Sequence, residues 1–208
     1  MHDDRLTDHW WPRPGRPPGR LVLTWHLTFE NATELHRAAT AYQAAVAELP
    51  LLRPIPPQWL HVTLQSVGYA DEVEAGTVVD VVDAVRKQLA AVPAFTVRLR
   101  RPVVYGEAAV LQLEPPEPVG DVLGAVRAGI EAVLGPLPER TRPFHPHVSI
   151  AYSGGEGESA PYVEALAAVD PGPVEIEITQ VSLIRQERLL APHWFYRWDT
   201  EAVAALRG

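Results

Sequence analysis

The stretch WLHVTLQSVG, residues 59 to 68, decides how this chain is interpreted. It has the apolar, β-branched composition of a buried strand, yet it contains His61 and Thr63 two residues apart. Because alternate side chains of a strand project to opposite faces, the leucines and Val62 point to one side while His61 and Thr63 point to the other. The pattern predicts a strand that holds a polar pair on one surface of a sheet and is anchored by its apolar side chains.

The stretch HPHVSIAY, residues 145 to 152, has the same pattern, with His147 and Ser149 on one face and apolar residues on the other. A third His-x-Ser/Thr match begins at His26. One such match is weak evidence in a chain with eight histidines, but two with the same alternation and similar flanks are stronger. We interpret His61 and His147 as the functional pair and His26 as a coincidental copy.

Composition restricts the classes of protein that fit. The chain has 208 residues, 47% of them hydrophobic, which is typical of a globular protein with a sizeable core. A formal net charge of −8 disfavours a protein that follows a long phosphate backbone such as DNA, but leaves a short or end-bound phosphate ligand open. There is no cysteine, which excludes disulfides and thiolate zinc sites. With no signal-like or membrane-spanning segment recognised, we expect a cytoplasmic protein without a membrane partner.

The order of predicted elements indicates two similar lobes. We expect an extended, Pro- and Gly-rich arm over residues 1–20, a single bilobal domain over 21–198 and a C-terminal tail over 199–208. Within the domain, apolar periodicity predicts, in order, a strand at 21–29, a helix at 31–49, a strand at 59–68, a helix ending near 92, a hairpin over 95–114, a helix at 120–135, a strand at 145–152, a helix at 160–169 and a closing pair of strands at 174–190 and 193–198.

The chain resembles the two-histidine (2H) phosphoesterase superfamily, which includes 2′-5′ RNA ligase-like proteins and cyclic phosphodiesterases. The resemblance lies in IPPQWLHVTLQSVG (55–68) and RPFHPHVSIAY (142–152), which match the proline turn and the two His-x-Thr/Ser motifs of that family. It implies an α+β, bilobal fold in which two antiparallel sheets face a central groove, with helices on the outside. We expect one motif histidine in each lobe.

Two imidazoles facing one another suit phosphodiester chemistry. The attacking oxygen must lose a proton and the leaving oxygen must gain one, and His61 and His147 can divide this work as base and acid. Hydroxyls of Thr63 and Ser149, two residues further along each strand, can donate to the non-bridging phosphate oxygens. This chemistry needs neither a metal nor another cofactor, and the sequence leaves open which histidine is the base.

The resemblance also implies a substrate class. It implies hydrolysis of a 2′,3′-cyclic phosphate or a 2′-5′ linkage, at an RNA end or on a small nucleotide, to leave a 2′-phosphate. The same site is expected to run in reverse as a weak 2′-5′ RNA ligase. We expect the protein to act as a monomer.

Further residues are candidates for substrate contact. Strict alternation predicts that Gln65 shares the face of His61, whereas Tyr152 has the opposite parity from His147 unless the strand bulges. His145 precedes a proline and is predicted at the rim of the groove, and His26 is a weaker candidate. The aromatic candidates for stacking on a base are Trp25, Trp59, Trp194 and Tyr196.

Two other classes of function compete with this interpretation. A catalytically silent nucleotide-binding or RNA-end-binding module would use the same groove, but would gain little from two titratable groups on opposing strands. A metal-dependent hydrolase would use His26, His61, His145 and His147, but few carboxylates lie near these positions to complete a metal site.

Overall fold

The computed structural model describes residues 2–12, 19–140 and 143–208, and these residues form twelve strands and four α-helices. The strands are β1 (Arg5–Leu6), β2 (Val22–Thr28), β3 (Leu52–Pro54), β4 (His61–Tyr69), β5 (Phe95–Leu99), β6 (Val103–Tyr105), β7 (Ala108–Glu114), β8 (His147–Ser153), β9 (Gly157–Glu158), β10 (Glu175–Ile178), β11 (Gln180–Leu189) and β12 (Phe195–Ala205). The helices are α1 (Thr33–Ala45), α2 (Ala75–Leu89), α3 (Glu117–Leu134) and α4 (Ala160–Ala167).

Two antiparallel sheets form the body of the protein. The first has the strand order β12-β11-β2-β4 and contains His61; the second has the order β10-β5-β7-β8-β3, with β6 added beside β7, and contains His147. Helices α2 and α3 pack on the first sheet through β12 and β4, while α1 packs on β8 of the second sheet and on α4. This confirms the predicted α+β fold of two sheets with helices on the outside.

The two sheets do not correspond to the two halves of the sequence. The predicted hairpin over 95–114 forms β5 to β7 and lies in the sheet of His147, whereas the strand before it, β4, lies in the sheet of His61. The prediction of one long strand over 174–190 is wrong, because the chain leaves the second sheet after Ile178 and enters the first at Gln180. Each lobe therefore combines strands from both halves of the chain.

Both predicted terminal segments are more ordered than an arm and a tail. The predicted tail from residue 199 is instead part of β12, which continues to Ala205 because it remains paired with β11 to the end. In the predicted arm, β1 pairs with β9, and Leu6 and Trp10 are buried in the core. The part of the arm at 13–18 lies outside the described residues.

Helices α2 and α3 approach each other closely. Val81, Val85 and Leu89 recur every four residues and form the buried stripe of α2. Gly129 of α3 faces this stripe, and a Cβ atom there would lie 2.6 Å from the Cα of Val85. The backbones of the two helices can approach this closely because Gly129 has no side chain. None of the helices in the described part of the chain is both long and apolar enough to cross a membrane.

Candidate active site

A cavity of about 610 Å³ lies between the two sheets. His61 and Thr63 of β4 line it from one sheet, and His147 and Ser149 of β8 line it from the other. The four predicted polar residues therefore meet in one cavity, whose size is in the range of small-molecule sites.

The proline turn before β4 is fastened to β8. The amide of Ile55 donates to the carbonyl oxygen of Ile150 at 3.0 Å, and the side-chain amide of Gln43 donates to the carbonyl oxygens of Ile55 and Ile150, each at 2.8 Å. Gln43 lies on α1, so one side chain joins a helix, the turn that leads to His61 and the strand of His147. These bonds set the position of one histidine strand relative to the other.

Both histidines are held by the same local hydrogen bond. His61 Nδ1–H donates to the carbonyl oxygen of Trp59, and His147 Nδ1–H donates to the carbonyl oxygen of His145, each at 2.8 Å. A carbonyl only accepts, so the proton must be on Nδ1 in each neutral ring. The Nε2 atoms are thus the ones that can gain a proton from a ligand in the cavity.

Burial favours the neutral form of both rings. His61 is 9% exposed and packs against Trp198, with ring centroids 5.2 Å apart. Desolvation by this burial lowers the pKa of His61 to about 4, against the opposing effect of the hydrogen bond to the Trp59 carbonyl; repulsion from a protonated His147 lowers it further. Desolvation also lowers the pKa of His147, although that ring is more accessible.

A β-bulge in each histidine strand changes which later residues face the cavity. In β8, Ser149 pairs with Val110 and Ala151 with Ala109, so Ile150 is an extra residue. The parity shifts by one, and Tyr152 joins the face of His147 and lines the cavity. The bulge that the alternation rule required for a Tyr152 contact is present.

The bulge in β4 has the opposite effect on the prediction for Gln65. Leu64 is the extra residue there, so Gln65 pairs with Trp25, and Ser66 takes the place on the face of His61 and Thr63. Gln65 still borders the cavity, but its amide oxygen accepts a hydrogen bond from Arg127 of α3 at 2.7 Å. The prediction that Gln65 shares the face of His61 is wrong, because strict alternation ends at the bulge.

His145 and His26 occupy different positions. His145 lines the cavity from the loop before β8, as predicted for a residue at the rim, and its carbonyl fixes the ring of His147. His26, the weaker candidate, has no exposed surface and is not among the residues that line the cavity. It lies beneath His61 on the same face of the sheet, with its ring centroid 4.6 Å from that of His61.

Of the aromatic candidates, only Tyr196 is among the cavity-lining residues, and Trp25 is fully buried in the core.

The N-terminal segment contributes a fourth cavity-lining histidine, His9, which sequence reasoning missed. The ring of His9 stacks on Tyr152 with centroids 4.0 Å apart; its Nδ1 lies 3.1 Å from a carboxylate oxygen of Glu107, and its Nε2 lies 3.0 Å from the hydroxyl of Tyr196. Local periodicity gave no sign of this position, because the segment has no regular pattern. The only signal was the cluster His9-Trp10-Trp11 in an otherwise Pro- and Gly-rich stretch.

The loop before β8 adds a cation that was also missed. Arg140 lines the cavity, and its guanidinium lies 5.1 Å from the ring centroid of Phe144, another lining residue. An arginine beside two imidazoles is suited to an anionic ligand. Across residues 2–12, 19–140 and 143–208, no three His, Cys, Asp or Glu side chains group closely enough to hold a metal ion.

Comparison with known families agrees with this geometry. The family model described as the 2′-5′ RNA ligase superfamily matches residues 31–189, which is more than half of the chain. The chain belongs to the 2′-5′ RNA ligase superfamily, and the resemblance to 2H phosphoesterases is confirmed. This membership supports an enzyme of the phosphoesterase or RNA ligase kind. Comparison with curated proteins gives no match.

Solved structures show the same fold. TT0787 of Thermus thermophilus is 21% identical over 90% of this chain and 98% of its own, with a TM-score of 0.66. E. coli LigT without ligand is 19% identical over 91% of this chain and 99% of its own, with a TM-score of 0.62. A further structure described as a phosphoesterase is 20% identical over 91% of this chain and 99% of its own, with a TM-score of 0.59.

Proposed function

We propose that this protein is a metal-independent phosphodiesterase that opens 2′,3′-cyclic phosphates or cleaves 2′-5′ linkages on small nucleotides or RNA ends, with ligation as the reverse reaction. One observation carries the proposal: His61 and His147 line the same cavity from opposite sheets, each with its Nδ1 proton committed to a main-chain carbonyl. Two Nε2 atoms on opposite walls can flank a phosphorus atom, one for the entering oxygen and one for the leaving oxygen.

We assign His61 as the general base in hydrolysis and His147 as the general acid. Burial lowers the pKa of His61 to about 4, so at pH 7 the ring is neutral and able to accept a proton from water. His147 is more open to solvent and can be reprotonated there. A bound phosphate anion beside it favours the charged ring, which then donates its Nε2 proton to the leaving oxygen.

The remaining polar groups stabilise the phosphate. The hydroxyls of Thr63 and Ser149 approach from the two sheets and can donate to the non-bridging oxygens as charge develops on them. Arg140 supplies a positive charge to the same cavity. A nucleotide substrate is in keeping with the fold, since E. coli LigT, 18% identical, has been crystallised with 3′-AMP and with phosphate.

The test is turnover of adenosine 2′,3′-cyclic phosphate in excess chelator, with the products assigned as 2′- or 3′-phosphate. We expect hydrolysis to the 2′-phosphate, and a loss of about 10²–10⁴-fold in kcat for each of His61→Ala and His147→Ala. His193→Ala, which removes an exposed histidine outside the cavity, is the matched control and should retain full activity.

Two outcomes would contradict the proposal. Binding of the cyclic nucleotide without turnover, across both cyclic and 2′-5′-linked substrates, would identify a silent binding module. Activity that disappears with chelator and returns with zinc would identify a metal-dependent hydrolase.

A further inference from the structure

On the same face of the first sheet as His61 and Thr63, a buried histidine is not used by the proposed chemistry. His26 pairs with Thr63 across β2 and β4 and has no exposed surface. Its Nε2 lies 2.8 Å from the hydroxyl oxygen of Thr63. The rings of His61 and Trp198 cover it, with centroids 4.6 and 6.1 Å away.

The protonation of His26 follows from its surroundings. Desolvation, reinforced by the charge of His61, lowers the pKa of His26 well below its ordinary value, so the ring is neutral and has one N–H. Within the described part of the chain, Nδ1 is buried without a hydrogen-bond partner. A buried N–H without an acceptor is rarer and more costly than a lone pair without a donor. The proton therefore belongs on Nε2, where it has the oxygen of Thr63 as its acceptor.

This bond determines what the hydroxyl of Thr63 can do. A hydroxyl oxygen that accepts from Nε2–H keeps its own proton for another acceptor. Thr63 is exposed toward the cavity, so a ligand oxygen there is the acceptor within reach. Accepting one bond also polarises the O–H and strengthens it as a donor.

We propose that His26 is a positioning residue: by donating its Nε2–H to Thr63, it directs the Thr63 hydroxyl proton at a non-bridging oxygen of the bound phosphate. The proposal rests on the proposed function of the groove. The third His-x-Ser/Thr match, at His26 and Thr28, thereby gains a role. Only His26 takes part in it, and it acts through Thr63.

The first test reads the tautomer in the unmodified protein by long-range ¹H–¹⁵N NMR, with the His26 signals assigned by their absence in His26→Gln. We expect Nε2 protonated and Nδ1 unprotonated. His36, whose Nε2 lies 2.6 Å from the carbonyl oxygen of Phe29, provides the same pattern for reference, and His61 and His147 provide the opposite one. A proton on Nδ1 of His26 overturns the proposal.

The second test is a double-mutant cycle on turnover of adenosine 2′,3′-cyclic phosphate. Thr63→Val should lower kcat by about 10²-fold, as loss of one donor to a developing oxyanion does. His26→Leu should lower it by about 10-fold in the native background and less than 2-fold in Thr63→Val. His26→Gln, whose amide can donate to Thr63, should stay within about 3-fold of the native rate.

The control cycle pairs His26→Leu with Ser149→Ala on the other sheet, where the losses should multiply. Equal losses from His26→Leu with and without the Thr63 hydroxyl would show a merely structural role and overturn the proposal. If His26→Leu does not fold, the tautomer of His26 in the unmodified protein decides.

Failure of the proposed function has a different signature. If the native protein turns over none of the substrates, the same cycle is measured on the affinity for adenosine 2′-phosphate. Coupled losses of affinity would support the role of His26 in a binding groove, and additive losses or no binding would overturn it.

Discussion

The groove histidines owe their properties to uncharged partners. A carbonyl oxygen fixes the tautomer of His61 and of His147 but does not supply the negative charge that a carboxylate would give. Desolvation outweighs these hydrogen bonds, and the pKa of each ring remains below its ordinary value. Both imidazoles are kept uncharged and ready to accept a proton, and a bound anion would supply the charge that a protonated imidazole needs.

This arrangement predicts how stability depends on pH. The pKa of His61 is about 4 in the folded protein and near its ordinary value when unfolded, so between pH 6.5 and 4 the unfolded chain binds a proton that the folded chain does not. Stability must then fall as the pH falls through this range. We expect His61 alone to lower the free energy of unfolding by about 3 kcal/mol between pH 7 and pH 4. The measurement is urea unfolding as a function of pH.

The variant His61→Gln isolates the contribution of this ring. Its unfolding free energy should fall less steeply toward pH 4 than that of the native protein, whereas His193→Gln, at an exposed position, should follow the native curve. Parallel curves for His61→Gln and the native protein would show that His61 is not held neutral by burial.

At the scale of elements, alternation predicted the two His-x-Thr/Ser pairs of the cavity because it is local, and it failed where the strands bulge. His61 with Thr63 and His147 with Ser149 precede the extra residues Leu64 and Ile150. Beyond each bulge the parity depends on distant partners. The carbonyl of Ile150, for example, accepts hydrogen bonds from Gln43 and Ile55, about a hundred residues earlier in the chain. No local pattern contains that information, so the faces of later residues in both strands had to come from the structure.

The close contact of α2 and α3 gives a prediction with an internal control. Gly129→Ala would place a methyl group within 2.6–2.7 Å of Val85 atoms, two of them backbone, so the helices must separate. We expect a loss of about 1–3 kcal/mol in the free energy of unfolding. Gly124, on the exposed face of the same helix, has nothing within 4 Å, and Gly124→Ala should instead stabilise by about 0.4–1 kcal/mol. Urea unfolding of both variants checks this; equal effects would contradict it.

At the scale of the whole molecule, the groove is assembled from parts that are distant in sequence. The sheet of His61 takes two strands from the beginning of the chain and two from its end. All strands of the sheet of His147 lie between the first and the last of these in the sequence. Neither lobe can thus be completed by a contiguous half of the chain. The N-terminal segment then adds His9 to the wall of the cavity, through backbone bonds from Asp3, Thr7 and His9 to Val104, Gly106 and Ser153.

Docking of this segment should be separable from global folding, since a terminal segment can open without disrupting the two sheets. Leu6 is its fully buried anchor, and Leu6→Ala should weaken docking by at least about 2 kcal/mol. Hydrogen exchange at the amides of Thr7 and His9 should then accelerate by about thirtyfold. The amide of Ile55, which donates to Ile150 of β8, should keep its protection. Because docking brings His9 to the cavity, KM for the cyclic nucleotide should rise more than kcat falls. If exchange at Ile55 accelerates equally, the segment and the sheets open as one cooperative unit, and the groove does not exist without its N-terminal wall.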